Sequence, residues 1–507
     1  MKTLPPASTV SQNAASESTC SRGGSTPSPP PRPRSLSWSG SAPSATSKPS
    51  RRAFAARSSR TFRREGFCPH PAAANDDGLL SCELISSSIQ PTIQPGGGSP
   101  VARALRLLGP GLVFALTVLG PGDFVSNAAT GATHGYALLW ALAVAVFFRF
   151  VWLDTSARYV LATGESLMEG YARLGQWILW LVLGSMIVIR TLANLYKLVL
   201  LGNIAEMLFP GSPAWMPVAA GGAFSILAFL ICDKGGYGRL EGGFKALVAV
   251  MWGALMVAAI LARPDPAGIL KGLLLPTLPG DRGLYATVFL LMALIGTEAG
   301  SLTNVTYSYF MLRKGWTAPE FRQRQKADLR LSVACLFLMG ALVQIAAAGT
   351  LLPAHVSPSR AEDLILLFSN TLGLAGRLIF TFGLTAAAIG GYLGGTLGYA
   401  MIATDIAPRL HSPAVSNLSQ RSFVAFWCFA PLALLLAAGR PVWLVLLVSA
   451  LMAVLIPVMA VILIRLTADR ARLGALTPPG WSRAALWVLV AVSSTILLAN
   501  ALRWFDK

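Results

Sequence analysis

Two carboxylates stand where an apolar chain ordinarily excludes charge. Asp123 follows Gly120-Pro121-Gly122 in "LGPGDFVSN", at the centre of one long apolar segment, and Glu298 lies in "GTEAGSLTN", Gly296 to Asn304, inside another. An acid at mid-bilayer is costly unless paired or wetted, so each marks a candidate site. Both are flanked by helix breakers: proline removes a backbone donor and clashes with the preceding turn, and glycine loosens the chain. Two carboxylates, freed carbonyls and the hydroxyls of Ser126, Thr297 and Ser301 make an all-oxygen surrounding, which suits a hard divalent cation better than a soft one. The expected binding set is Asp123, Glu298, Gly120, Thr297, Gly300 and Ser301, and the expected helix breaks are Gly120, Pro121, Gly122, Ala299 and Gly300. Either acid also fits as a cap of its half-helix, because acids are favoured at helix N-termini. Residue type and spacing leave both roles open.

The elements that must position these residues follow from composition. The chain has 507 residues, 54% of them hydrophobic and 12% charged, with a mean hydropathy of +0.59; soluble domains carry roughly 25% charged residues. Its apolar segments are continuous rather than alternating, which excludes a membrane barrel and predicts a polytopic helical membrane protein. Eleven spans are expected, at about 106–132, 136–161, 176–206, 214–232, 243–262, 284–311, 329–352, 373–404, 422–438, 442–465 and 483–502. The interruptions fall in the first and sixth, five spans apart. That offset is the mark of a five-plus-five inverted repeat whose substrate site lies between the two broken helices. Unwound backbone is tolerated at that depth only where it faces protein or a cavity.

Charge gives orientation and a tail. Residues 1–64 hold 11 Lys/Arg and one acid, leaving 30 basic and 21 acidic residues for the rest of the chain. Residues 1–100, rich in Ser, Pro and Arg, cannot build a core and read as a disordered tail, a transit peptide or the product of a mis-assigned start; 101–507 read as the transmembrane domain. The stretch "LRKGWTAPEFRQRQKADLR" between the sixth and seventh spans holds six basic residues. By the positive-inside rule this puts the N-terminus in the cytoplasm and the C-terminus on the opposite side. The membrane expected is the cell membrane or that of an organelle. The six cysteines show no CxxC spacing and suggest neither zinc nor disulfides.

Further polar residues lie within the spans. Arg149 and Asp154 fall in the second, and Arg190, Asn194 and Lys197 in the third, where they are expected to form a supporting network of interhelical ion pairs or to snorkel. A sharper alternative has Arg190 neutralising a site carboxylate. Asn127 fits either the site or a helix-to-helix hydrogen bond; Tyr307 and Tyr309 read as packing; His134 reads as an exposed loop residue. No nucleotide fingerprint, catalytic triad or zinc motif is present, so neither an enzyme nor a bound cofactor is expected, and the metal ion would be substrate.

Several stretches in order carry a resemblance: "NAATGATHGYALLW" (Asn127 to Trp140), "SARYVLATG" (Ser156 to Gly164), "GYGRLEGGFKAL" (Gly236 to Leu247) and "ILKGLLLPTLPG" (Ile269 to Gly280). Over about residues 105–502 the chain resembles the Nramp divalent-metal transporters, which implies an all-α LeuT-type fold. The resemblance departs at the site. Where family members have Asp-Pro-Gly-Asn, this chain has Gly120-Pro121-Gly122-Asp123; where they have Ala-x-x-Met-Pro-His, it has Thr297, Glu298, Ala299, Gly300, Ser301 and Leu302. The acids of the family's proton path correspond to Gly184, Thr191 and Asn194, and a glutamine on the tenth helix to Leu455. The resemblance therefore implies alternating-access transport of a divalent cation (Mn, Fe or Mg class), down its gradient and without that proton path. Two alternatives are a LeuT-type carrier of a small organic cation or zwitterion, and a non-transporting signalling or scaffold protein. The expected partners are the substrate cation and the lipid bilayer, with no nucleic acid; a monomer is compatible with the sequence.

Overall fold

The computed structural model describes residues 121–505 except 210, 212, 214, 236, 281–286, 301, 357, 359–360 and 436–440. The expected tail over 1–100, and the site residues Gly120 and Ser301, lie outside the described residues. Every regular element among the described residues is helical: α1 Pro121–His134, α2 Leu139–Thr163, α3 Leu167–Leu174, α4 Gln176–Leu208, α5 Met216–Asp233, α6 Tyr237–Leu261, α7 Pro266–Leu274, α8 Thr287–Glu298, α9 Leu302–Arg313, α10 Arg322–Thr350, α11 Ala361–Ile406, α12 Pro413–Ser416, α13 Gln420–Leu435, α14 Pro441–Leu466, α15 Arg470–Leu473 and α16 Gly480–Phe505. The expected spans map in order onto α1, α2, α4, α5, α6, the α8/α9 pair, α10, α11, α13, α14 and α16.

Local chemistry explains where the elements depart from expectation. α10 begins at Arg322 rather than near 329, because Arg, Gln, Lys and Ala are good helix formers and let a polar turn continue the apolar span. α11 begins at Ala361 and is kinked at Gly373, whose φ of 60° no other residue type adopts cheaply. Among the described residues, four short helices, α3, α7, α12 and α15, lie outside the expected spans. α3 starts with a side-chain N-cap: Ser166 accepts from the Glu169 amide at 3.1 Å. α7 starts at Pro266, with Asp265 accepting from the Ala267 and Gly268 amides at 3.0 and 2.9 Å, and is bent 111° from α6.

Eight helices are long and apolar enough to cross a membrane among the described residues, or nine if the bent α6–α7 pair counts as one span. Trp177, Trp215 and Trp481 stand exposed at helix starts, as anchors at a bilayer interface do. Exposed Val188, Ile226, Leu227 and Ile260 give the apolar surface that lipid requires. Inside, the most extensive pairings are α11 with α6, α8 with α14, and α10 with α1. Small residues make the last two possible. A Cβ at Gly296 would overlap the Ser449 carbonyl of α14, and one at Gly131 would overlap the Gln344 carbonyl of α10. α1 and α8 are thereby pressed into the middle of the bundle, each against a long helix.

Candidate functional site

The break between α8 and α9 is built by a small number of side chains. α8 ends at Glu298, and Gly300 takes φ 61°, in the left-handed region. A Cβ there would stand 2.7 Å from Asn304 Oδ1 and 3.1 Å from Arg149 Nη2, so the turn needs glycine for space as well as conformation. Asn304, in the first turn of α9, donates to the Ala299 and Gly300 carbonyls at 2.8 and 3.1 Å. It thus satisfies acceptors that the helix end leaves open. Its own oxygen accepts from Arg149 Nε at 3.3 Å, which ties α2 to the break.

α1 brings the second half of the site. Helix starts there at Pro121, and Asp123 sits in the first turn, at the positive end of the helix dipole. The Tyr196 hydroxyl of α4 meets the Gly122 backbone from the far side. Farther along α1, Asn127 donates to Glu298 Oε1 at 2.6 Å and to the Asp123 carbonyl at 2.8 Å, while accepting from Gln344 of α10 at 2.9 Å. Ser126 and Thr297 are 3.3 Å apart. α1 and α8 are therefore stitched together at mid-bundle by Asn127–Glu298 and Ser126–Thr297.

A cavity of about 110 Å³ opens beside this junction. Gly122, Asp123, Arg149, Arg190, Lys197 and Thr297 line it, together with Tyr196, Thr303, Thr306, Tyr399, Ser449 and the glycine face of α11 at Gly391, Gly394, Gly395 and Gly398. Of the two acids, Asp123 is on the cavity wall and Glu298 is not; Glu298 lies behind it, held by Asn127. The charged groups are almost dry: Asp123 is 5% exposed, Glu298 1%, Arg149 0%, Arg190 6% and Lys197 4%. Arg149 lies within Coulomb range of both carboxylates. Among the described residues, no three of His, Cys, Asp and Glu come together as a metal-binding group.

The expected charge network divides in two. Asp154 is not paired with α4; it binds Arg158 at 2.8 Å and Arg322 at 2.7 Å, well along α2 from Arg149. Arg190 does not neutralise a site carboxylate either. Its guanidinium donates to the Gly391 and Tyr392 carbonyls at 2.8 Å each and lies 5.5 Å from the Tyr399 ring centroid. Lys197 is 3.4 Å from the Gly391 carbonyl. Asn194 donates to Thr396 at 3.0 Å and to the Trp427 carbonyl at 2.8 Å, joining α4 to α11 and α13 rather than facing the cavity. Tyr309 is more than packing, since its hydroxyl donates to Asp405 at 2.6 Å. His134 is half-buried at the end of α1, 3.4 Å from the Thr287 hydroxyl, not exposed in a loop. Asn304, Gln344, Tyr196 and the glycine face of α11 were not singled out from sequence. The lone glutamine in "MGALVQIAAAG" and the spacing in "GGYLGGTLG" were the signals available.

Solved structures give the class. The chain matches a manganese transporter from Eremococcus coleocola, crystallised with an aromatic bis-isothiourea substituted compound, at a TM-score of 0.63 and 18% identity, covering 82% of this chain and 90% of that one. It also matches Mhp1, a nucleobase-cation-symport-1 family transporter, at a TM-score of 0.50 and 14% identity over 78% and 92% of the two chains. The protein is an all-α, multi-pass membrane protein of the LeuT-type five-plus-five architecture. Sequence then gives the family. The model described as natural resistance-associated macrophage protein-like matches residues 111–502. The divalent metal cation transporter MntH of Klebsiella pneumoniae is 27% identical over 405 residues, 76% of this chain and 92% of that protein. The metal transporter Nramp6.2 of Populus trichocarpa is 27% identical over 323 residues, 58% and 55% of the two. The chain belongs to the Nramp family.

Proposed function

We propose that this protein is a secondary transporter that moves a divalent metal cation across a membrane by alternating access, with Asp123 as the carboxylate that meets the ion. The observation that carries the reading is the position of Asp123: buried, on the cavity wall, at the start of α1 and beside the break between α8 and α9. The cation class comes from the named functions of the relatives, and the hydroxyls that share the wall with Asp123 (Thr297, Thr303, Ser449) suit a hard ion such as Mn²⁺ or Mg²⁺, beside the Met452 thioether and the basic Arg149, Arg190 and Lys197. Glu298 supports this site at one remove. Its bond to Asn127 fixes α8 against α1, so that the two move together, while Gly300 and Asn304 provide the hinge at which α9 departs.

The face bearing the α9–α10 connection is cytoplasmic in this reading, because the basic residues gather there, and it places the N-terminus inside and the C-terminus outside. Residues 1–100 are a tail outside the transport domain. Transport without proton exchange follows from the lack of acids at the α4 positions that correspond to the family's proton path, Gly184, Thr191 and Asn194. Neither catalysis nor a resident cofactor is part of this reading.

The test uses the purified protein in liposomes with Mn²⁺, Mg²⁺ or Ca²⁺ outside and a pH indicator inside. Uptake of at least one ion is expected without acidification, with Asp123→Ala lowering it by about tenfold or more, the loss that removing a buried charged partner gives. No movement of any ion, with Asp123→Ala binding metal as the parent does in calorimetry, sinks the cation reading. Acidification that tracks metal entry overturns the uncoupled form.

A further inference from the structure

We propose that the same cavity holds an anion subsite on Arg190 and Lys197, and that the metal cation is carried together with a small organic carboxylate seated there. The cation half rests on the transport reading above; the anion half stands on the geometry of α4 and α11.

Arg190 and Lys197 are seven residues apart, about two turns, so α4 presents them on one face. Both line the cavity and both are more than nine-tenths buried. Neither has a carboxylate within ion-pair distance among the described residues; the ion pairs there engage other basic groups. Arg190 is oriented by one nitrogen, Nη2, on two carbonyls of α11, while its Nε has no hydrogen-bond partner. Lys197 makes one long contact to the Gly391 carbonyl and lies 5.0 Å from the Tyr196 ring centroid. The room for the guanidinium is provided by Gly395, where a Cβ would overlap it. A buried cation without a counter-ion is costly, and its persistence in a cavity marks a place where a negative group arrives.

Charge and coordination then point to the same ligand. The cavity wall carries three basic side chains and, among the described residues, one carboxylate, and with Glu298 counted beside Arg149 the bases still outnumber the acids three to two. A bare divalent cation would add charge to a wall already positive, whereas a cation paired with a dicarboxylate adds none. Mg²⁺ and Mn²⁺ also require about six oxygens, of which Asp123 provides one or two. A carboxylate ligand would bring others on the side facing the metal and present its remaining oxygens to Arg190 and Lys197. The planar guanidinium fork fits a carboxylate in two contacts, and the ammonium takes a single oxygen.

The experiment follows Mn²⁺ and radiolabelled malate into liposomes containing the full chain, with free Mn²⁺ held equal in chloride and malate media. Malate is expected to accelerate Mn²⁺ entry about tenfold and to enter with it, and Arg190→Met or Lys197→Met to remove that acceleration. Arg190→Lys, which keeps charge but loses the fork, is expected to retain part of it. Thermal melting of the detergent-solubilised protein gives the independent reading: malate raises the melting temperature of the parent and not that of Arg190→Met. Equal Mn²⁺ entry in both media, with no labelled malate inside and no shift in melting, overturns the anion subsite and leaves the cation reading standing. Malate entry that needs no Mn²⁺ overturns the pairing, while the loss of that entry in Arg190→Met upholds the subsite; the cation reading falls only if Mn²⁺ enters in neither medium.

Discussion

Two groups of charge in this molecule obey opposite rules. On the face that carries the α9–α10 connection, acids and bases are matched. Asp154 holds Arg158 and Arg322; Glu165 holds Arg173 and accepts from Tyr159; Asp405 holds Arg409 at 3.0 Å and also accepts from Tyr309 and from Ser166 at 2.7 Å. In the central cavity, Arg190 and Lys197 are held by backbone carbonyls and an aromatic face. The rim network joins α2, α3, α9, α10 and α11, elements that must separate if the cavity is to open on that side. The outer pairs of that latch, with Glu165 25% and Asp405 24% exposed, can part at modest cost because each partner is rehydrated when it does, whereas Asp154 is 4% exposed and anchors the network. Mid-membrane charges have no such recourse, so their compensation must come from fixed dipoles or from what the cavity binds.

The contrast can be broken by deleting one charge from each region. Asp154→Ala leaves two guanidinium groups facing each other around a site where the acid is 4% exposed, and should cost about 3–5 kcal/mol, the range for removing one partner of a buried pair. A marked fall in melting temperature in detergent checks it; a change within error would mean that the rim is as loosely held as a surface. Arg190→Met should act in the reverse direction. Replacing a buried cation that has no acid partner by an apolar side chain of similar length is expected to be neutral or to stabilise by about 1–4 kcal/mol in the absence of substrate. Destabilisation on that scale would show that the carbonyls of α11 compensate the charge fully.

A third variant probes how the cavity cation is seated. Gly395→Ala forces the Arg190 guanidinium from its place and should destabilise by about 1–3 kcal/mol, the usual effect of overpacking. In the Arg190→Met background the same substitution should cost less, so a double-mutant cycle measured by denaturation reads the coupling directly. If the two effects simply add, the glycine is not there for the arginine. The smallest effect belongs to the periphery. Arg421, 69% exposed, pairs with Asp233 at 3.0 Å, and Arg421→Ala should alter stability by about 1 kcal/mol or less, declining with added salt. A larger loss would place that pair with the rim network.

The outline of the fold was legible because apolar length and breakers are local properties. Helices stand at ten of the expected positions with their order intact in α2 to α16, eight or nine of them long and apolar enough to cross a membrane among the described residues, and the described part of the first is α1. The break after Glu298 was visible as glycines around an acid in an apolar run, and Asp123 as a carboxylate after Gly-Pro-Gly. The short helices α3 and α7 were missed although Ser166-x-x-Glu169 and Asp265-Pro266 signal them, because each is too brief for a periodic apolar pattern.

Sequence alone thus determined that this is a helical membrane protein, that the sixth span is broken beside Glu298, and which charges are forced into the apolar interior. It could not decide which of those charges meet, since partners such as Asn127 and Glu298 are 171 residues apart and their contact depends on how α1 and α8 pack. Only tertiary structure separated Asp123 on the cavity wall from Glu298 behind it, and moved Asp154 out of the site to the rim. Only it set Arg190 and Lys197 against the glycine face of α11. The physical reason is common to all three: burial assigns a charge its cost by the chain's own residue types, but the partner that offsets it is chosen by packing between distant segments.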